Sequence, residues 1–132
     1  MQEEITFETR LYEIVDLTSE IERIVEKSRV KCGIVNIFAP HATGILIVGE
    51  NEPRIGRDYI ALMERMAPRG IGWAHDEIDD NAHAHLRSVL FGASLCIPIR
   101  DGKLALGTWQ RVMFIETDRS RKRRVIVSVI PC

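Results

Sequence analysis

Three of the chain's four histidines fall within eleven residues, in the segment HDEIDDNAHAH at 75–85, beside four carboxylates and an asparagine. Imidazole and carboxylate at this density suit two chemistries, divalent-metal coordination and proton transfer near neutral pH. Spacing restricts the first. On a helix, His83 and His85 project about 200° apart and cannot share one ion. His85 then lies beside the Leu86/Val89 edge of the core face, while His83 faces solvent, so His85 is the ligand candidate. Asn81 shares a side with His85 as an i,i+4 pair. Asp79 or Asp80 stands where a helix N-cap is wanted. The plain alternative is a capped, polar first turn carrying exposed histidines.

His41 strengthens the chemical reading. It follows Pro40 at the junction of two apolar runs, with the small residues Ala42-Thr43-Gly44 leaving room around it. His41, His75 and His85, from three separate segments, could converge on one divalent ion with an open fourth position. That arrangement favours zinc over magnesium, which prefers oxygen ligands. Asp80 would then act as acid/base or support a ligand. In the run GTWQ (107–110), read as part of a strand, Thr108, Gln110, Val112, Phe114 and Glu116 share one face. Gln110 would orient substrate, and Glu116 would hold a ligand histidine. The cations Arg119, Arg121, Lys122, Arg123 and Arg124 mark a hairpin turn, either solvated or a grip for phosphate. Glu50 and Asn51 either cap the next helix or line a pocket.

The elements that must position these residues are legible from periodicity. Residues 4–15 read as a strand broken midway. Ser19 with Glu22 forms a capping-box signature for a helix over 20–29. Two apolar strands follow at 32–38 and 43–50, then a helix from Pro53 to about 66, closed by Pro68 and Gly70. A second helix runs from Asp80 to Gly92, with Ala82, Leu86, Val89 and Leu90 toward the core. The remainder is β, with Asp101-Gly102 predicting a type I′ hairpin. The expected fold is α+β: one domain, a mixed or antiparallel curved or sandwiched sheet, helices on one side and a closing β-meander.

Composition narrows the partners. The 132 residues are 45% hydrophobic and 28% charged with net charge −1, so no field draws nucleic acid or anionic lipid. Cys32, Cys96 and Cys132 are odd in number and lack C-x-x-C spacing, which predicts reduced thiols in a cytoplasmic protein rather than a disulfide framework. The N-terminus carries no apolar signal region, and no apolar run is long enough to span a bilayer.

The stretches SLCIPIRDGKLALGTWQRVMFIE (94–116), HATGILIVGEN (41–51) and HDEIDDNAHAHL resemble, in the same order, those of the YjbQ-like family. The resemblance implies a compact α+β fold, a homotrimer, and secondary thiamine-phosphate synthase activity, in which a thiazole phosphate displaces diphosphate from a pyrimidine. It places the family's recurrent polar residues on His41, Thr43, Glu50, Asn51, His75, Asp76, Asp80, His85, Thr108, Trp109 and Gln110, and not on His83. The expected ligand is a small phosphorylated heterocycle, with Thr43, Glu50, Asn51, Thr108, Gln110 and Arg124 contacting it. A metal-dependent hydrolase and a non-catalytic trimeric binding protein are the competing readings.

Overall fold

A computed structural model describes residues 1–132. Its strands are β1 (Gln2–Glu8), β2 (Ile14–Asp16), β3 (Cys32–Phe38), β4 (Leu46–Gly49), β5 (Ser94–Arg100), β6 (Lys103–Leu104), β7 (Arg111–Ile115) and β8 (Lys122–Pro131). Its helices are α1 (Thr18–Ser28), α2 (Pro53–Met66) and α3 (Ala82–Phe91), with a 3-10 turn at Ala74–Glu77. The strands divide into a five-stranded sheet, β1-β8-β3-β5-β6, and a three-stranded one, β2-β7-β4. Every pairing is antiparallel.

Alternation along the large sheet explains the layering. Ile5, Val35, Ile37, Ile97, Ile99, Val125, Val127 and Val129 point to one face and are buried. They meet the α1 stripe of Leu17, Ile21, Ile24 and Val25, and Leu46, Val112 and Phe114 of the small sheet, in one core. A second, smaller cluster of Ile45, Met63 and Ile115 seats α2 against the small sheet. The outer face of the large sheet carries no helix.

The expected α+β class and the helices on one side are what the chain forms. The broken first strand is two strands in different sheets, because Tyr12 turns the chain with positive φ. Asp101 and Gly102 both take positive φ between paired Arg100 and Lys103, the two-residue hairpin that Asp-Gly predicts. The closing strands do not run as one meander. β7 crosses to the small sheet, and β8 returns between β1 and β3. Gly33 allows that central insertion, since a Cβ there would collide with the Ile130 carbonyl.

Three local expectations give way to other interactions. The Ser19/Glu22 capping box does not form, because α1 begins two residues earlier than expected, at Thr18, and the Asp16 carboxylate takes the Thr18 N–H at 2.9 Å. Cys32 and Cys132 are disulfide-bonded rather than free. They sit where β8 ends against β3, and the Cys132 N–H also bonds the Cys32 carbonyl at 2.9 Å. Only Cys96 is a free thiol. The predicted core stripe of α3 is the third case. Of that stripe only Ala82 is buried; Leu86, Val89 and Leu90 are exposed, Val89 at 84%, while His83, Ala84, Arg87 and Ser88 face inward. The inner face of α3 bonds to backbone at two points: Ser88 Oγ donates to the Gly44 carbonyl and Arg87 Nε to the Ala67 carbonyl. Polar residues therefore belong there. No helix is long and apolar enough to cross a membrane.

Asp16 ties the far end of the small sheet together, accepting also from Arg111 Nε at 2.8 Å and Asn51 Nδ2 at 3.0 Å. Burial works to raise its pKa, but the bonds from Arg111, Thr18 and Asn51 outweigh it and hold the carboxyl at about 2. A folded-state value below the unfolded 3.8 gives stability that is present above pH 3.8 and lost as pH falls through about 2. Because Arg111 and Asp16 are partly solvated, the expected contribution is only about 1 kcal/mol. Urea unfolding of wild type and Asp16→Asn should differ at pH 6 and converge near pH 2; a constant difference at both would reject the linkage.

Candidate functional site

The opposite end of the small sheet is where charge concentrates. β7 leads into Glu116-Thr117-Asp118, and the turn at 119–121 enters β8. Glu116 is 0% exposed and Arg123 2%. They form a two-pronged pair, Nε to Oε1 at 2.7 Å and Nη2 to Oε2 at 2.6 Å. Glu116 also accepts from Thr9 Oγ1 at 2.6 Å and from the Asp118 N–H at 3.1 Å. The Arg123 guanidinium lies 5.4 Å from the Phe114 ring centroid and donates onward to Thr43 Oγ1 at 2.9 Å. Thr43 in turn donates to Asp118 Oδ2 at 3.2 Å.

Asp118 is the hub of this network. Its side chain is buried and accepts from Arg121 at 2.9 Å, Arg119 at 3.2 Å and Asn81 at 3.4 Å. Burial works to raise its pKa, yet the arginines and Asn81 hold the carboxyl below its ordinary value. Arg119 also reaches Asp80 at 2.6 Å and keeps that exposed carboxylate low as well. Asp80 therefore braces Arg119.

His41 completes one wall. β8 residues of even number turn their backbone groups toward β3, and that ladder ends at the Phe38–Ile126 pair. The His41 ring takes the next place, with Nε2 3.0 Å from the Arg124 amide nitrogen and 3.2 Å from its carbonyl. An unpaired backbone N–H is costlier than an under-used carbonyl, so Nε2 serves as acceptor and the proton sits on Nδ1. Burial first, then the charge of Arg123, lowers the His41 pKa, which keeps the ring neutral. His41 thus presents a fixed Nδ1–H donor.

These groups border a cleft of about 570 Å³ lined by eleven residues, one of them hydrophobic. His41, Thr43, Asn81, His85, Asp118, Arg121, Lys122 and Arg123 belong to it. His75 does not line the cleft but packs edge-on against His85, ring centroids 4.7 Å apart, with its buried Nε2 unpartnered.

Several expectations change here. No three His, Cys, Asp or Glu side chains lie close enough to hold an ion. His41 has committed its lone pair to Arg124, so the three-histidine zinc set does not form within one chain, and magnesium finds no oxygen cage. Glu116 holds Arg123 rather than a histidine, because β7 ends at Ile115 and the next residues turn inward. Arg124 contributes its backbone alone, while its guanidinium pairs with Glu4 at 2.7 Å on the outer face of the sheet. GTWQ is a turn, not a strand, in which Gln110 Oε1 accepts the Gly107 N–H at 2.8 Å. Glu50, Asn51, Thr108 and Gln110 lie at the other pole of the β4–β7 pair, where Gly49 faces Arg111. His83 is buried at 3% exposure, not solvent-facing.

Asp118 was not singled out by sequence reasoning, and Arg123 entered only as one of five cations in a turn, not as a buried partner of Glu116. Arg123 shares strand parity with Val125, Val127 and Val129, which marks it as inward-facing. Asp118 is the one acid beside five cations in 119–124.

Comparison with known proteins fits this geometry into a group. A family model described as "UPF0047 protein YjbQ-like" matches residues 3–132. The chain belongs to the YjbQ-like family. A UPF0047 protein of Archaeoglobus fulgidus is 44% identical over 128 residues, covering 96% of this chain and 99% of the relative. A crystal structure of a Sulfolobus solfataricus protein, described as YbjQ-like and of unknown function, superposes with a TM-score of 0.92 at 34% identity, covering 100% of this chain and 99% of that one. A hypothetical protein of Aeropyrum pernix gives 0.89 at 32% identity, covering 98% and 99%. The YjbQ-like fold therefore accounts for the whole chain.

Proposed function

We propose that this YjbQ-like protein is a group-transfer enzyme of the secondary thiamine-phosphate synthase type, holding phosphorylated heterocycles in the His41–Arg121 cleft. The observation that carries the reading is the placement of a fixed imidazole donor beside Arg121, Lys122 and Arg123 in a cleft with one apolar lining residue. When a thiazole phosphate displaces diphosphate from a pyrimidine, the bond to the departing group breaks with its electron pair, and negative charge grows on the diphosphate. Donors already held in place stabilise that charge without reorganising. His41 supplies a neutral N–H, Arg121 and Lys122 supply charge, and Glu116, Thr43 and Asp118 fix the arginines. His85 borders the same space, its ring steadied by His75. No step in this reading passes through a bound metal ion.

One observation favours a second reading. Glu116 and Asp118 spend their oxygens on internal donors, so neither buried carboxylate is free to act as a general base. A binding protein that holds a phosphorylated ligand without turnover needs none. Thiamine phosphate formation from the two heterocyclic phosphates, followed by chromatography, separates the two. Wild type should form product, and Lys122→Ala should lose about a hundredfold in rate, the usual cost of one charge-stabilising donor. Tight binding of both substrates with no product would select the binding protein.

Assembly as a homotrimer belongs to the same proposal. Ile34, Phe38 and Ile130 are exposed on the bare outer face of the large sheet, and Trp109 is 72% exposed in its turn. Apolar surface of this kind favours burial against another copy. Sedimentation equilibrium should return three times the chain mass, and a monomer at micromolar concentration would reject it.

A further inference from the structure

The cleft has a neighbour across Asp118. A recess of about 240 Å³ opens on the far side of the Asp80–Arg119 bridge and is lined by Leu11, Arg69, Asp80, His83, Asp118 and Arg119. Its lining holds two arginines and two aspartates, but the pairing among them is uneven. Asp80 and Asp118 are both engaged by Arg119, and Asp118 by Arg121, Asn81 and Thr43 as well. The chain's nine ion pairs include neither Arg69 nor Arg87.

Arg87 is the anomaly. It stands one turn beyond His83 on the inner face of α3, is 0% exposed, and has no carboxylate partner. Its Nε caps the α2 C-terminus at the Ala67 carbonyl, 3.1 Å away, but Nη1 is buried with nothing to bond. The carbonyl end of a helix offsets about half a charge, which leaves the guanidinium undercompensated. His83 lines the recess beside it, and its Nδ1 is likewise buried without a partner. Burial first, then the nearby charges of Arg87 and Arg69, lowers the His83 pKa against the smaller opposing pull of Asp76 and Asp118. Arg69 and the His83 imidazole thus border a small space whose two carboxylates, Asp80 and Asp118, are already engaged by Arg119, with Arg87 outside it behind His83. Buried charge and buried polar atoms left unpaired are costly, and an anion bound against Arg69 and His83 offsets part of the Arg87 charge through its field.

We infer that the recess between Arg69, His83 and Arg119 is a binding site for a small tetrahedral oxyanion, a phosphate group, with Arg87 behind His83 supplying field. Arg69 and the His83 imidazole donate to the phosphate oxygens. Asp118 borders both the recess and the cleft. The phosphate is therefore either free in solution or the terminal group of an ester whose body lies in the cleft. The site does not depend on the synthase reading, because none of its donors lines the cleft.

Titration of the intact protein with inorganic phosphate, read by calorimetry and by NMR of the His83 imidazole, tests this. Wild type should bind one phosphate per chain with a shift of the His83 ring resonances. Arg69→Ala, at an exposed position that leaves the core untouched, should weaken binding at least tenfold. Arg121→Ala should leave the His83 shift in place. Saturating phosphate with no His83 response, or equal binding by Arg69→Ala, would overturn the site. If Arg121→Ala abolishes binding and Arg69→Ala does not, the phosphate belongs to the cleft and the recess is rejected while the cleft reading stands. Phenyl phosphate moving the same His83 resonances marks the recess as the seat of an ester phosphate; a response to inorganic phosphate alone marks it as a free-anion site.

Discussion

Glu116→Ala is expected to cost about 3–5 kcal/mol of stability, a large share of what a domain of this size has to lose. The expectation rests on what the carboxylate leaves behind. Arg123 would keep its charge at 2% exposure with only Thr43 and the Phe114 ring for company. Thr9 Oγ1 and the Asp118 N–H would lose their acceptor as well. Removing both charges should be far milder, because a buried ion pair gains little net energy over apolar side chains of similar volume. Urea unfolding of Glu116→Ala, and of Glu116→Leu combined with Arg123→Met, gives the comparison. A single variant within about 1 kcal/mol of wild type would show that water reaches Arg123. The double variant should fold yet lose the cleft's organisation, since Arg123 holds Thr43 and Thr43 holds Asp118.

Cys132→Ser should rival that effect by a different route. The disulfide joins residues 100 apart, and closing a loop of that length removes unfolded-chain entropy worth about 4.7 kcal/mol in the chain-entropy account. The β3–β8 ladder already holds the two ends together, so the folded state should change little. Reduced wild type should match Cys132→Ser, and both should show a larger denaturant slope than the oxidised protein, because an uncrosslinked chain exposes more surface. If reductant leaves the unfolding midpoint unmoved although thiol titration shows the bond broken, the disulfide does not stabilise the fold and the expectation fails.

What could be read in advance follows from how local each signal is. The strand at 32–38, the α2 span and the Asp101-Gly102 hairpin depend on neighbours in sequence, and the structure has them where periodicity and turn chemistry put them. The inner face of α3 could not be found that way. Its partners are carbonyls of Gly44 and Ala67, so the helix turns serine and arginine inward against the usual pattern. His41, Thr43 and His85 were visible as candidates, and one cleft brings them together. Asn51 and Gln110 were equally visible, but only the β4–β7 register shows that they lie at the other pole. The roles shifted most of all. His41 looked like a ligand until the Arg124 amide was seen to occupy its lone pair. The Cys32–Cys132 bond, too, depends on β8 running back beside β3, a long-range pairing that residue spacing does not encode.

The β1–β8 pairing has a practical side. Gln2 lies opposite Ser128 and Glu8 opposite Lys122, so both chain ends emerge at one pole of the large sheet, and the cleft opens at the other. An affinity tag, a fluorophore or a fused domain joined at either end would hang clear of the chemistry. The ends are also near neighbours, with Val129 N–H bonded to the Met1 carbonyl at 2.8 Å. A short peptide bridge could therefore close the backbone into a ring, and new ends opened at the Asp101-Gly102 hairpin would leave every strand pairing around the cleft unbroken.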